Sequence, residues 1–276
     1  MLSKIDQFQS LLILAIIKAA AFDNKTDSNK TENKHDDYES FVTEYRSIIG
    51  SCMYAQMLTR PDIAYGVSVL SRFLNKPTLT HMKHAKRLLT YLYLTHDRGI
   101  VYGREGSKWL EILGWSDSDY GGDLDTRKSQ TGWIFTLNGG AISWRSVLQS
   151  CVALSTPEAE YMAVSDAGKE GRSLLKLAKN IIDNKASCIR IAEDNKACEL
   201  WTRQSSHASK TKQIDISFHH IRDEVTKGTI KIISVPSSVN CADALTKPLS
   251  QSLFYKLNDI IFGKASAYFS PMAMTA

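Results

Sequence analysis

The hydrophobic period of this chain changes near Gly106, and that change constrains its fold more than any other feature. Before it, apolar residues recur every three or four positions; after it, they alternate or cluster in short runs. Tyr45, Ile48, Ile49, Cys52, Met53 and Met57 form one helical stripe. Arg60-Pro61-Asp62 interrupts it, with proline at a plausible first helical position. Ile63, Val67, Leu70 and Leu74 form a second stripe, closed by Asn75-Lys-Pro77. A third helix is predicted from about Thr80, with Ala85, Leu88, Leu89 and Leu92 inward. Its polar side carries His81, Lys83, His84, Lys86 and Arg87, which reads equally well as solvated surface or nucleic-acid contact. His81 and His84 share a face, but no third ligand accompanies them, which excludes a zinc site.

Beyond Gly106 the pattern predicts strands over Leu110–Ser118, Thr131–Leu137 and Ala141–Ser146, the last two joined by the tight-turn signal Asn138-Gly-Gly140. Thr156 as N-cap, Pro157 at the first helical position and two early glutamates start a helix that runs to about Ile182. An apolar strand, Cys188–Glu193, ends in Asp194 and leads into a short helix through Trp201. A helix over Asp215–Lys227, a strand over Thr229–Val235 and final turns from Asn240 complete the pattern. The order β-β-β-α-β-α-α-β-α predicts an α/β domain in which an antiparallel meander feeds parallel strands.

The chain's 276 residues suffice for one large domain or two small ones. A net charge of +5 leans toward polyanionic partners without identifying one. The five scattered cysteines include no C-x-x-C pair, which points to reduced thiols in an intracellular protein (cytoplasm or nucleus) rather than a disulfide scaffold. Leu11–Ile17 is apolar but too short to span a bilayer. It reads as an amphipathic helix with no membrane role, and residues 23–40 read as a disordered linker. The expected organisation is an N-terminal segment (1–40), a helical segment (41–105), an α/β domain (110–262) and a tail (263–276).

Chemistry concentrates in the acids. In Gly114-Trp-Ser-Asp-Ser-Asp-Tyr-Gly-Gly-Asp123, alternation sends Asp117 and Asp119 to one face of a strand. Neighbouring carboxylates resist joint ionisation unless a cation or water satisfies them. Glu160 on the long helix, Asp194 at the fourth strand's end and Asp243 opening a last helix-like run arrive from separate elements. Any one alone reads as a cap or turn residue. Together, without a cysteine or histidine cluster, they suit a hard cation such as Mg2+.

The element order resembles the ribonuclease H fold, a mixed five-stranded sheet with flanking helices, here preceded by a small helical subdomain. At motif level the chain is similar to the C-terminal region of copia-type LTR retrotransposon Pol polyproteins. Tyr45-Arg-Ser-Ile-Ile-Gly50, Thr59-Arg-Pro-Asp-Ile-Ala64, Leu70-Ser-Arg-Phe73 and Ala85-Lys-Arg-Leu88 match the connection segment before the ribonuclease H domain. Trp115-Ser-Asp-Ser-Asp119, Arg127-Lys-Ser129, Gly139-Gly-Ala-Ile-Ser-Trp144, Ala159-Glu-Tyr161, Asp194-Asn195, Thr211-Lys212, Ile214-Asp215 and Ala242-Asp243 match the domain itself. No single motif is specific; the ordered set across roughly residues 41–262 is.

The resemblance implies an endoribonuclease that cuts the RNA strand of an RNA–DNA hybrid and a parent polyprotein carrying a reverse-transcriptase polymerase domain. It makes Asp117, Glu160, Asp194 and Asp243 the catalytic acids, holding two Mg2+ ions, with Mn2+ as a substitute. Two ions roughly 4 Å apart can activate a water on one side of a phosphate and stabilise the leaving oxygen on the other. The acids are expected in one shallow, open cleft, with proton affinities raised by mutual repulsion. Asp119 and Asp123 take supporting or turn roles, because Gly121-Gly122 marks the strand's end. Substrate grip falls to Arg127, Lys128, Lys210 and Lys212, and Asn195 stands ready to contact the RNA sugar; each also reads as surface charge or helix cap.

The departures from the family pattern are specific. Pro157 intrudes where Ser-Thr-Glu-Ala-Glu-Tyr is expected, Gln213 replaces a histidine before Ile-Asp, and Glu193 puts an extra charge beside Asp194 where cysteine is common. There is no Tyr-x-Asp-Asp sequence of a polymerase palm. The chain therefore reads as the C-terminal portion of such a polyprotein with a foreign or truncated start. A metal-dependent ribonuclease H, a non-catalytic domesticated nucleic-acid binder and a degenerate relic all fit the fold; the retained acids favour the first.

Overall fold

Helices α1 (Lys34–Leu58), α2 (Ala64–Ser71) and α3 (Leu79–Leu94) bury their apolar stripes in a core of their own. Tyr45, Ile49 and Cys52 of α1 meet Val67 and Leu70 of α2 and Ala85, Leu89 and Leu92 of α3. Met53 and Met57 depart from the expected stripe: they are 44% and 67% exposed, and Ala55 takes the inward position that follows Ile48 and Cys52 around the helix. Helix α1 begins at Lys34, so the last part of the expected linker over 23–40 is helical. The third helix, expected from about Thr80, begins at Leu79 with Thr78 as its cap. The Thr78 hydroxyl accepts from the His81 amide at 3.4 Å, and the Thr78 amide donates to His81 Nδ1 at 3.1 Å. His81 also stacks on Phe73, with ring centroids 3.8 Å apart. Its role is local and structural.

This computed structural model describes residues 34–103, 112–181, 188–203 and 215–265. The chain divides into two compact units, residues 1–99 and 100–276. The second unit carries β1 (Ile112–Asp119), β2 (Gln130–Leu137) and β3 (Gly140–Leu148), then α4 (Thr156–Ile181), β4 (Ile189–Glu193), α5 (Lys196–Arg203), α6 (Asp215–Thr226), β5 (Ile230–Ser234) and α7 (Gln251–Ile261). The sheet order is β3-β2-β1-β4-β5. β1 pairs antiparallel with β2 and parallel with β4, and β5 continues parallel, the mixed ribonuclease H-like sheet expected from the resemblance. Asn138 and Gly139 both take positive φ (50° and 89°), as a two-residue type I′ hairpin requires.

Alternation divides the sheet into two faces. Trp133, Phe135, Ile189, Ile191, Ile230 and Ile232 pack against Tyr161, Val164 and Ala167 of α4, Cys198 of α5 and Ile221 of α6. Gly114 lies under the Phe135 ring, where a Cβ would stand 2.4 Å from Cε1. On the other face, β1 and β2 both pack against the 3-10 turn Cys241–Leu245. Among the described residues, no helix is long and apolar enough to cross a membrane.

Candidate active site

Three of the sequence-predicted acids converge. Asp117 lies near the C-terminal end of β1 and Asp194 immediately follows β4. The parallel register that pairs Trp115 with Ala192 brings them side by side. Glu160 comes from the first turns of α4. There the Ser155 hydroxyl, rather than Thr156, accepts from the Glu158 amide, and the Glu158 carboxylate accepts from the Leu154 amide at 2.9 Å. One ligand oxygen from each of Asp117, Glu160 and Asp194 lies within 4.8 Å of the others.

Asp243 reaches the same face by another route. It sits in the 3-10 turn rather than opening a helix, since α7 begins only at Gln251. Asn240 fastens the turn to β1: its Nδ2 donates to the Ser116 carbonyl at 2.9 Å, and its Oδ1 accepts from the Ala242 amide at 3.1 Å. Ser146 of β3 donates to the Leu245 carbonyl at 2.6 Å. Gly132, directly opposite Asp117 in the ladder, leaves the space that the turn fills; a Cβ there would lie 2.6 Å from Thr246 Cγ2 and 2.8 Å from Leu245 Cβ. Thr246 donates to Asp117 Oδ2. Lys247 Nζ lies 3.0 Å from Asp243 Oδ1 and 3.5 Å from Asp117 Oδ2.

The acids are more buried than a shallow, open cleft would lead one to expect. Asp117, Glu160 and Asp243 are 1%, 5% and 3% exposed, and Asp194 is half-buried. Burial is also the main reason the proton affinities of Asp117, Glu160 and Asp243 rise, with mutual repulsion second to it. It pushes Glu160 up to about 11, helped by Glu193, Asp117 and Asp194. It raises Asp243 to about 7, with Asp117 adding to the rise and Lys247 opposing it. Asp117 is raised by burial against the opposing Lys247 ammonium and Thr246 hydroxyl. Burial pulls Lys247 downward, but Asp117 and Asp243 outweigh it and hold the ammonium above its ordinary range.

Two groups beside these acids were given no role in the sequence reading, Glu193 and Lys247. Glu193 is fully buried, its Oε2 accepting from Ser116 Oγ at 2.8 Å and its Oε1 from the Asn195 amide at 3.2 Å. Its charge was visible beside Asp194; that Ser116 and Glu193 would meet on the helix-covered face needed the strand register. Lys247 stands four residues after Asp243, a spacing that can return a side chain to the same acid in helical or 3-10 backbone.

The remaining candidates are dispersed. Asp119 accepts from the Gln130 amide, and Asp123 Oδ1 accepts from the Asp125 and Thr126 amides at 3.0 and 2.9 Å, which makes both loop-ordering groups. Arg127, exposed and with a positive φ of 56°, and the half-buried Lys128 lie on the β1–β2 loop. Asn195 caps α5, its Oδ1 accepting from the Ala197 and Cys198 amides at 3.0 and 3.2 Å. Lys210, Lys212 and Gln213 lie outside the described residues.

The donor set fits a hard divalent cation: it is all carboxylate oxygen, and Glu160 Oε2 is buried with no hydrogen-bond partner. An orphaned acceptor in a closed site costs free energy that a cation would recover.

No protein-family model matches the chain. It is 39% identical over 217 residues to the retrovirus-related Pol polyprotein from transposon TNT 1-94 of Nicotiana tabacum, covering 79% of this chain and 16% of that polyprotein. It is 36% identical over 212 residues to the Pol polyprotein from transposon RE1 of Arabidopsis thaliana, covering 77% of this chain and 14% of the other. Secreted RxLR effector protein 161 of Plasmopara viticola is 46% identical over 126 residues, 46% of this chain and 87% of that protein. Among solved structures, a ribonuclease H1 isolated from compost aligns with a TM-score of 0.36 and 17% identity, over 49% of this chain and 92% of that one. The chain spans about a sixth of the length of the first polyprotein it matches. On these similarities and its mixed sheet, the chain belongs to the copia-type retrotransposon Pol polyproteins and carries a ribonuclease H-like domain together with part of the segment that precedes it.

Proposed function

We propose that this chain is a metal-dependent endoribonuclease that cleaves the RNA strand of RNA–DNA hybrids. The observation that carries this reading is the convergence of Asp117, Glu160 and Asp194 within 4.8 Å, with a buried, unpartnered oxygen on Glu160. Asp117, Glu160, Asp194 and Asp243 would hold two Mg2+ ions, with Mn2+ able to replace them. Bound there, such ions lower the pKa of a coordinated water and neutralise charge on the scissile phosphate.

The chain's own groups prepare that chemistry. Thr246 fixes one Asp117 oxygen, which holds the carboxylate in a single orientation. Asn240 fixes the turn that presents Asp243. Arg127 and Lys128 meet the phosphate backbone from the β1–β2 loop, with Lys210 and Lys212 in the same role. Contact with an RNA sugar would fall to the amide nitrogen of Asn195, because its oxygen caps α5. The helical unit, residues 41–105 of the expected organisation, serves as the connection to the polymerase domain of a parent polyprotein, and the site of action is intracellular.

The test is cleavage by the full chain. With Mg2+ it should cut the RNA of a hybrid, leave duplex DNA intact and stop in chelator. Asp194→Asn should reduce turnover below detection while the fold persists. Salt-sensitive hybrid binding with no cleavage in Mg2+ or Mn2+ would replace this reading with that of a non-catalytic, domesticated binder.

A further inference from the structure

We propose that Lys247 is a tethered cation that occupies the second metal position of this site and sets the order in which divalent ions enter. The inference rests on the metal-site reading above and concerns how that site is loaded.

The acids fall into two sets that share Asp117. Asp117, Glu160 and Asp194 bring their oxygens together with no ammonium in contact distance of Glu160 or Asp194 among the ion pairs described. Asp117 and Asp243 instead have the Lys247 ammonium between them, 3.5 and 3.0 Å from their nearest oxygens. A divalent ion shared by Asp117 and Asp243 would need carboxylate oxygens at about 2.1 Å, inside the volume that Nζ now fills. At such separations the two positive charges would also repel strongly. Ion and ammonium are therefore alternatives at that position.

Lys247 is built to give way. Its side chain is 38% exposed while those of Asp117 and Asp243 are 2% and 4% exposed, so the ammonium can swing outward on its four-carbon stem and regain water. The acids cannot. The turn holding Asp243 is pinned by Asn240 to β1 and by Ser146 to β3, and Thr246 holds Asp117. The expected sequence is entry of one ion at the Asp117–Glu160–Asp194 set with Lys247 in place, then entry of a second with displacement of Lys247. Before any ion binds, Lys247 offsets repulsion between two buried carboxylates that the fold cannot separate.

The test compares the full chain with Lys247→Met, which keeps the stem and removes the charge, and with Lys247→Arg and Lys247→Gln. Calorimetric titration with Mg2+ alone should show two steps in the wild type, the second weaker. In Lys247→Met and Lys247→Gln the second step should tighten several-fold, and by more than the first; Lys247→Arg should keep it weak. In chelator, Lys247→Met and Lys247→Gln should melt below the wild type and recover to it in Mg2+, whereas Lys247→Arg should melt near it throughout. Superimposable isotherms for wild type and Lys247→Gln would overturn the inference. So would a loss of melting temperature that Mg2+ leaves unchanged, which marks a plain packing contact. Absence of Mg2+ binding in every protein would overturn the metal-site reading itself, and this inference with it.

Discussion

Two buried charge assemblies in this molecule follow opposite rules. In the helical unit, Arg60 and Asp62 are each 5% exposed, yet their polar groups are closely matched. Arg60 Nε and Nη2 donate to the two Asp62 oxygens at 3.0 and 2.8 Å, and Tyr91 adds its hydroxyl to Asp62 at 2.6 Å. The other Arg60 donors reach the Thr95 carbonyl and hydroxyl at 3.1 and 2.6 Å. In the sheet unit, buried Asp117, Glu160, Glu193 and Asp243 surround half-buried Asp194, with Lys247 as the neighbouring ammonium. The first assembly is neutral and geometrically complete, as a structural clamp must be. The second gathers more carboxyl groups than cations and leaves an orphaned oxygen. A cation from outside would complete it. Thr59-Arg-Pro-Asp62, one of the segments carrying the family resemblance, thus has its partners built in, while Trp115-Ser-Asp117 contributes an acid to the candidate site.

The largest expected effect breaks the clamp. Arg60→Ala leaves Asp62 buried without its bidentate partner, and loss of one member of such a pair costs about 3–5 kcal/mol. All five tryptophans lie beyond residue 100, so their fluorescence reports the sheet unit, whereas far-ultraviolet circular dichroism reports the helices of both units. In urea, Arg60→Ala should shift the dichroism transition to lower denaturant and leave the fluorescence transition in place. Asp194→Asn should shift neither downward, because it removes charge from a repulsive cluster. Equal destabilisation by the two substitutions would erase the distinction between clamp and site.

Much of this contrast was legible in the sequence, for physical reasons that differ by residue. The elements of the sheet unit follow from local periodicity and turn chemistry; Asn138-Gly139 fixes a hairpin with almost no tertiary help. Asp117, Glu160 and Asp194 were nameable because each ends or begins an element whose position the topology dictates. Asp243 was nameable too, but its 3-10 setting was not, since Ser116, Ser146 and Gly132 shape that turn from distant parts of the chain. Met53 and Met57 misled because apolar spacing does not say which edge of a stripe meets a neighbour. Lys247 stayed hidden because a lone lysine reads as surface, and only the folded turn shows what its ammonium faces.

A smaller effect comes from Gly132. Its alanine variant would place a Cβ 2.6 Å from Thr246 Cγ2, and overpacking of this kind costs about 1–3 kcal/mol. Here the fluorescence transition should move and the clamp be untouched. Because the displaced atoms belong to the turn beside Asp243, Mg2+ affinity should fall together with stability. A stability loss without any change in Mg2+ affinity would detach the turn from the site.

The pH response separates the two assemblies more gently. Asp243 is raised from 3.8 to about 7 and Glu160 from 4.5 to about 11, so the folded chain holds these protons more tightly than the unfolded one. Their contribution is fully present below about pH 4 and is lost as pH rises, through about 7 for Asp243 and on toward 11 for Glu160. In chelator the fluorescence melting temperature should decline as pH rises from 5 to 8, roughly the interval that spans Asp243's titration. Saturating Mg2+ should flatten that decline, since cations favour the ionised acids. An identical slope with and without Mg2+ would place the titrating groups away from the ion.

The smallest effect concerns the rim rather than either buried assembly. Arg127 is exposed on the β1–β2 loop, and its backbone amide donates to the Asp123 carbonyl at 2.8 Å, so the loop keeps its shape when the side chain is removed. Arg127→Ala should leave both unfolding transitions where they are. If its guanidinium meets one phosphate, hybrid affinity should drop, and the slope of log affinity against log salt should shrink by about one unit. Because a phosphate contact carries no sequence information, the loss should be the same for hybrids of unrelated sequence. A drop in affinity with an unchanged salt slope would mean that Arg127 acts through loop geometry, where its positive φ of 56° already marks an unusual backbone. Unchanged affinity would move substrate grip to the segment around Lys210 and Lys212. Buried charges in this protein divide by whether their partners are built in, and exposed ones divide by whether salt competes with what they hold.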